Sequence, residues 1–207
     1  MRINKKKFIY LISPNRISNL DFYSDLCAIL ETKTVSFFQL RLKNTANKRK
    51  FLIGKKIKKI CKKYSVNFIV NDDPILARKL NADGCHLGQK DMKINEARKI
   101  LKNKIIGITC HNSIKLAKIA ISNKADYLAI GAFHASKTKK ITYKAKINTL
   151  HSIKKISKIP IVAIGGINSN NYKKLLLNNA NFLAISSYIW NNKKYKPSEA
   201  IRKINED

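Results

Sequence analysis

Short apolar, largely β-branched runs recur roughly every 20 to 30 residues, and amphipathic Lys-rich stretches separate them, which is the rhythm of strands alternating with helices. The strand candidates are FIYLI (8–12), VSFFQL (35–40), NFIV (67–70), GCHLG (84–88), KIIGIT (104–109), DYLAIG (126–131), IPIVAIG (159–165) and NFLAIS (181–186). Three are approached in the same way: LARKLNADGCHLG, KIAISNKADYLAIG and LLLNNANFLAIS each run from an apolar helix through Ala and an Asp or Asn into a strand. The small residue lets the chain turn closely, and Asp or Asn suits the turn before the strand. Alternation of this kind implies parallel strands joined by helical crossovers. Eight such units in 207 residues sit at the lower size limit of a closed barrel. An open doubly wound sheet is disfavoured, because no GxGxxG opens a helix and the strands lack the polar alternation of edges. The expected fold is therefore α/β, a single (β/α)8 TIM barrel over residues 1–207, with its active site at the C-terminal ends of the strands.

Composition changes this picture little. With 43 Lys and Arg against 12 Asp and Glu, the formal charge is +31, and nucleic acid is the first partner to consider. The lysines, however, spread through every helix candidate, and no zinc finger, arginine-rich arm or aromatic RNP-like strand accompanies them. The charge thus implies nonspecific, salt-sensitive adhesion rather than a shaped footprint, and no specific nucleic-acid partner is expected. No apolar run approaches the roughly 18 residues needed to span a bilayer, so no membrane partner is expected either. The N-terminal MRINKKKFIYLIS lacks a small-residue cleavage site, which points to a cytoplasmic chain. Cys27, Cys61, Cys85 and Cys110 form no CxxC pair and read as reduced thiols.

The informative polar residues fall at strand ends. The second strand ends QLRLK, where period two sets Gln39, Arg41 and Lys43 on one face, an arrangement that calls for an anion in a barrel mouth. The third ends VNDD (Asn71, Asp72, Asp73), and the fourth runs into HLGQKD (Gln89, Asp91). Acidic residues are scarce here, so two adjacent strand mouths carrying them suggest a hydrated Mg²⁺ beside a diphosphate. Asp73, just before PILARKL, reads instead as a helix N-cap. The fifth strand ends ITCH, offering the Thr109 hydroxyl and His111, a residue that reads more readily as packing than as an acid or base. The seventh ends AIGGI, where Gly165 and Gly166 permit close approach of backbone amides to a ligand, and the eighth ends in Ser186 and Ser187. Barrels often bind phosphate after strands seven and eight, so a second anion site is expected there.

In this order the motifs YLIS, QLRLK, NDDPILA, ADGCHLGQKD, IGITCH, ADYLAIGAFHASKTK, PIVAIGGI and ISSYIW resemble those of the thiamine phosphate synthase family over residues 8–190. The resemblance implies a Mg²⁺-dependent transferase with two small-molecule substrates. It would condense hydroxymethylpyrimidine diphosphate with thiazole phosphate, releasing diphosphate and forming thiamine monophosphate. It implies that Gln39, Arg41, Lys43, Asn71, Thr109 and Lys139 hold the pyrimidine diphosphate, with Arg41, Lys43 and Lys139 catalytic. It assigns Asp72 and Asp91 to the metal, and Ser136, Thr138, Gly166, Ser186 and Ser187 to the thiazole phosphate. A homodimer is a further expectation from the family that no residue displays.

Some positions depart from the family pattern. Thr109 stands where Ser is more usual, and Ala132, His134, Ala135 and Ser136 replace two prolines, an aromatic residue and a threonine, which predicts a looser loop. Asn181 stands for the usual Asp, which raises a question about the geometry of the phosphate site. Two rival readings are a thiazole tautomerase of the same family, which shares a His at the position of His111, and a noncatalytic basic nucleic-acid binder.

Overall fold

The computed structural model describes residues 7–17, 20–135 and 143–205. Eight parallel strands close into a barrel in chain order: β1 (Ile9–Ile12), β2 (Val35–Leu40), β3 (Asn67–Asn71), β4 (Gly84–Leu87), β5 (Ile105–His111), β6 (Tyr127–Gly131), β7 (Ile161–Ile164) and β8 (Phe182–Ile185). The helices between them are α1 (Asp21–Glu31), α2 (Asn47–Lys63), α3 (Pro74–Lys79), α4 (Ile94–Leu101), α5 (Ile114–Ser122), α6 (Ile147–Ile156) and α7 (Tyr172–Leu177). A short α8 (Ser187–Trp190) follows β8, and α9 (Pro197–Asn205) closes the chain against α1 and α8. The (β/α)8 expectation holds, and all eight strands lie within or beside the runs that predicted them.

Six of the strands divide their apolar residues between two cores, and β3 and β4 contribute to the larger one. Outward-facing Leu11, Phe38, Phe68, Val70, Cys85, Leu87, Ile106, Leu128, Ile130 and Leu183 join the helices in the larger core. Inward-facing Tyr10, Ile12, Tyr127, Ala129, Val162 and Ala184, with Phe37, Ile105, Ile164 and Phe182 against them, fill the barrel itself. Strands buried on both faces read as continuous apolar runs, which is why simple hydrophobicity found them. The four cysteines are free thiols, three of them buried. Among the described residues no helix is long and apolar enough to cross a membrane.

The Asp or Asn that precedes β4, β6 and β8 does more than turn the chain. The carboxylate of Asp83 accepts the Phe68 amide at 2.7 Å, while the Asp83 amide donates back to the Phe68 carbonyl at 2.8 Å. Asp126 brackets Ile106 in the same way (2.7 and 2.8 Å), and Asn181 brackets Ile161 (2.9 and 2.9 Å). Each bracket therefore staples the start of one strand to the start of the next. Lys58 of α2 and Arg98 of α4 add ion pairs of 2.7 Å to the two aspartates. Asn181 supplies the same acceptor without charge. It stands at the start of β8, the end of the strand opposite Ser186, so its replacement of Asp does not bear on the phosphate-site geometry.

Candidate active site

Every strand end singled out in the sequence opens on one mouth of the barrel, and the connections after β1, β2 and β8 are tied together there. The Ser186 hydroxyl donates to the Ser13 carbonyl at 3.2 Å, and the Ser13 hydroxyl accepts the Arg41 amide at 2.8 Å. Asn15 completes the tie: its Oδ1 accepts from Arg41 Nη1 at 2.7 Å, and its carbonyl accepts the Lys43 amide at 3.1 Å. Trp190 of α8 anchors the far side by donating Nε1–H to the Ile12 carbonyl at 2.7 Å. Ser13 and Asn15 were not singled out in the sequence; a polar SPN directly after the first apolar run was the available signal.

The alternation predicted for Gln39, Arg41 and Lys43 does not continue past the strand. β2 ends at Leu40, and the chain then leaves the ladder to bond with residues 13–15. Gln39, still within the ladder and on the inward face with Phe37, is only 3% exposed inside the barrel, with Nε2 donating to the Tyr10 hydroxyl at 3.0 Å. Arg41 is half-buried at the mouth and Lys43 is exposed.

Across β3 and β4 the acidic residues separate into two roles. Asp73 caps α3, its carboxylate accepting the Leu76 amide at 2.8 Å ahead of Pro74, as expected. Asp72, held at φ 65° with its amide bonded to the His86 carbonyl at 2.8 Å, turns its carboxyl into hydrogen-bonding reach of Asp91. Burial first, and then the neighbouring Asp91 carboxylate, push the Asp72 carboxyl up to about 6, while Arg41 and Asn71 oppose the shift. Asp91 is oriented by the Gly88 amide, which donates to its Oδ2 at 2.6 Å. Asn71 ends β3 half-buried, paired in register with His86.

On β5, Thr109 Oγ1 lies 2.8 Å from Nε2 of the buried His86, and its carbonyl accepts from the Gln89 side chain. His111 closes β5 at φ 52° with its ring against Tyr143, centroids 4.4 Å apart, beside a cleft of about 440 Å³. Its neighbour Asn112 binds the start of α6, accepting from the Lys146 amide and the Thr149 hydroxyl at 3.1 and 2.6 Å.

After β7, loop packing gives Gly166 a reason of its own, beside the expected approach of a ligand. Gly166 sits at φ 58°, and a Cβ there would run into the Ala135 carbonyl and His134. The segment after β6 occupies that space, with the Phe133 and His134 amides donating to the Ile164 and Gly165 carbonyls at 3.1 Å each. Glycine is thus required by the packing of one loop against another. Ser136, Thr138 and Lys139, together with the expected looseness of their loop, lie outside the described residues.

The mouth therefore joins a cation held by an amide, a crowded carboxylate pair and hydroxyls from β5 and β8. A family profile described as "Thiamine monophosphate synthase" matches residues 9–189. The thiamine-phosphate synthase of Pelagibacter ubique (strain HTCC1062) is 68% identical over 206 residues, covering 99% of this chain and 100% of that protein. The Clostridium tetani protein of the same name is 42% identical over 169 residues, 80% of each chain. Among solved structures, thiamine phosphate pyrophosphorylase from Pyrococcus furiosus superposes with a TM-score of 0.83 at 28% identity, covering 98% of this chain and 96% of that one. Nothing in these similarities favours the tautomerase or the nucleic-acid binder. The chain belongs to the thiamine monophosphate synthase family.

Proposed function

We propose that the chain condenses 4-amino-2-methyl-5-hydroxymethylpyrimidine diphosphate with thiazole phosphate, yielding thiamine monophosphate and diphosphate. One observation carries the assignment to this mouth: Arg41, held through its amide by the Ser13 hydroxyl and through its guanidinium by Asn15, shares the C-terminal end of the barrel with Asp72 after β3 and Asp91 after β4. A fixed cation beside two carboxylates is what a diphosphate and its accompanying divalent cation require.

In this reading Arg41, Lys43, Thr109 and Lys139 hold the diphosphate, and Gln39 and Asn71 contact the rest of the pyrimidine substrate. The donor set suits Mg²⁺, being two carboxylates, Asp72 and Asp91, that crowd each other when both are charged. Among the described residues no group of three or more His, Cys, Asp or Glu could hold a metal. An ion that retains waters and takes phosphate oxygens fits such a site. When bound, Mg²⁺ supplies positive charge beside the leaving diphosphate.

The bond from the pyrimidine methylene carbon to the diphosphate oxygen breaks, and its electron pair departs with the diphosphate. Positive charge develops on the electron-rich pyrimidine, so the residues' task is to stabilise the departing charge, and no strong base is needed. The thiazole nitrogen then donates its lone pair to the same carbon. Gly166, Ser186 and Ser187, with Ser136 and Thr138, hold the thiazole phosphate so that this nitrogen faces the carbon, and positioning supplies much of the remaining rate. The free thiols support a reducing, cytoplasmic setting, and a homodimer stays the family's expectation.

The test is incubation of the purified protein with both substrates and Mg²⁺. Equimolar thiamine monophosphate and diphosphate are expected. Isomerisation of a thiazole carboxylate without coupling would overturn the reading, as would salt-sensitive nucleic-acid binding as the sole activity.

A further inference from the structure

Gln39 on β2 and Thr109 on β5 are connected through the interior of the barrel by one chain of hydrogen bonds. Gln39 Nε2 donates to Tyr10 at 3.0 Å, the Tyr10 and Tyr127 hydroxyls are 2.7 Å apart, Tyr127 lies 2.9 Å from His86 Nδ1, and His86 Nε2 lies 2.8 Å from Thr109 Oγ1. Tyr10, His86 and Tyr127 are 2%, 8% and 3% exposed. The Tyr127 ring stacks on His86 at 14° between planes, and it fits because β5 carries Gly107, whose Cβ would fall inside that ring.

The proton inventory gives the chain a direction. An amide nitrogen can only donate, so Tyr10 accepts from Gln39 and must place its own proton elsewhere. Among the described residues its hydroxyl meets only one other partner, Tyr127. If Tyr10 donates to Tyr127, Tyr127 donates to Nδ1 of His86, and the proton of the neutral ring sits on Nε2 and is given to Thr109. In the opposite direction Tyr10 would accept twice and keep a buried O–H with no acceptor, an arrangement that folded proteins avoid. With the Tyr127 proton aimed at Nδ1, that nitrogen is bare, and the ring carries its one proton on Nε2, facing Thr109.

We propose that Tyr10, Tyr127 and His86 form a positioning relay that makes Thr109 an acceptor from His86 and leaves the Thr109 hydroxyl proton free to be donated to the diphosphate. The inference rests on the reading of Thr109 as a diphosphate contact. Without the relay, Thr109 could donate to His86 instead and present only lone pairs to an anion. A donor fixed before the substrate arrives stabilises the leaving group without reorganising as charge develops.

Two measurements test it. The first is the ¹⁵N spectrum of the imidazoles at neutral pH without substrates, with the His86 signals identified among the four histidines by their loss in His86→Gln. A protonated Nε2 and a bare Nδ1 are expected, and an Nδ1–H tautomer overturns the relay. The second is a kinetic cycle of Tyr127→Phe and Thr109→Val. Tyr127→Phe lowers kcat about tenfold while changing the KM for the pyrimidine diphosphate less than about threefold, and it adds nothing to Thr109→Val. Additive losses would mark a merely structural effect and refute the proposal. An inactive wild type sinks the functional reading and with it the diphosphate end of the relay, whereas the tautomer alone decides the direction of the chain.

Discussion

Arg41 owes its direction to Asn15, whose Oδ1 accepts from the guanidinium Nη1 at 2.7 Å. The amide is uncharged, so it orients the guanidinium without neutralising it. Asn15→Ala leaves the cation in place but free to rotate. It is expected to raise the KM for the pyrimidine diphosphate about tenfold, while Arg41→Ala costs at least about a hundredfold in kcat/KM. Steady-state kinetics on both variants checks this, and Asn15→Asp, which would pair the charge, is expected to be worse than Asn15→Ala.

The carboxylate pair is predicted to serve function and not fold. Asp72 and Asp91 repel each other when both are ionised, so Asp72→Asn, which keeps a residue suited to φ 65°, relieves a destabilising contact and leaves the melting temperature unchanged or raised. Both Asp72→Ala and Asp91→Ala are expected to abolish turnover and to weaken Mg²⁺ binding measured calorimetrically. Retained activity in either removes that residue from the metal site.

The strand-start brackets behave in the opposite way. Asp126 accepts the Ile106 amide and pairs with Arg98 far from the mouth. Asp126→Ala strands the amide and is expected to cost about 2 kcal/mol in urea unfolding, with kcat of the remaining folded enzyme unchanged. Asp126→Asn is expected to cost less than half as much, because Asn181 performs the same bracket with an amide oxygen.

His86 makes stability depend on pH. Burial lowers its pKa from the usual 6.5 to about 4, so between those values the unfolded chain takes up a proton that the folded chain resists. The contribution is complete above about pH 6.5 and is lost as pH falls towards 4, amounting to about 3 kcal/mol. Urea midpoints recorded from neutral pH down to about 4.5 should fall more steeply for the wild type than for His86→Gln. Parallel slopes would show that His86 is not the group responsible.

Of the lysines in GAFHASKTKK, only Lys139 is assigned to the diphosphate. Lys139→Ala is therefore expected to lower kcat far more than Lys137→Ala or Lys140→Ala, and equal losses would reduce the stretch to general basicity.

The barrel was legible because its strands are buried on both faces and are punctuated by amphipathic helices, a pattern that local composition carries. Asp73 was legible as a cap for the same reason, since its partner Leu76 is three residues away. The strand-end residues could be nominated because a parallel barrel brings all its C-terminal ends to one mouth. What the chain does with them there required the closed fold. Gln39, Arg41 and Lys43 look alike by period two, yet Gln39 is still in the ladder and faces inward, whereas the break of β2 after Leu40 leaves Lys43 exposed. Tyr10, His86 and Tyr127 pass in the sequence as polar interruptions of apolar runs, because the bonds that give them meaning join residues 23 to 117 positions apart. Local pattern determined which segments are strands and where they end. Only closure of the barrel decided which polar groups share a buried interior, because a polar group buried there must find its partner on another strand.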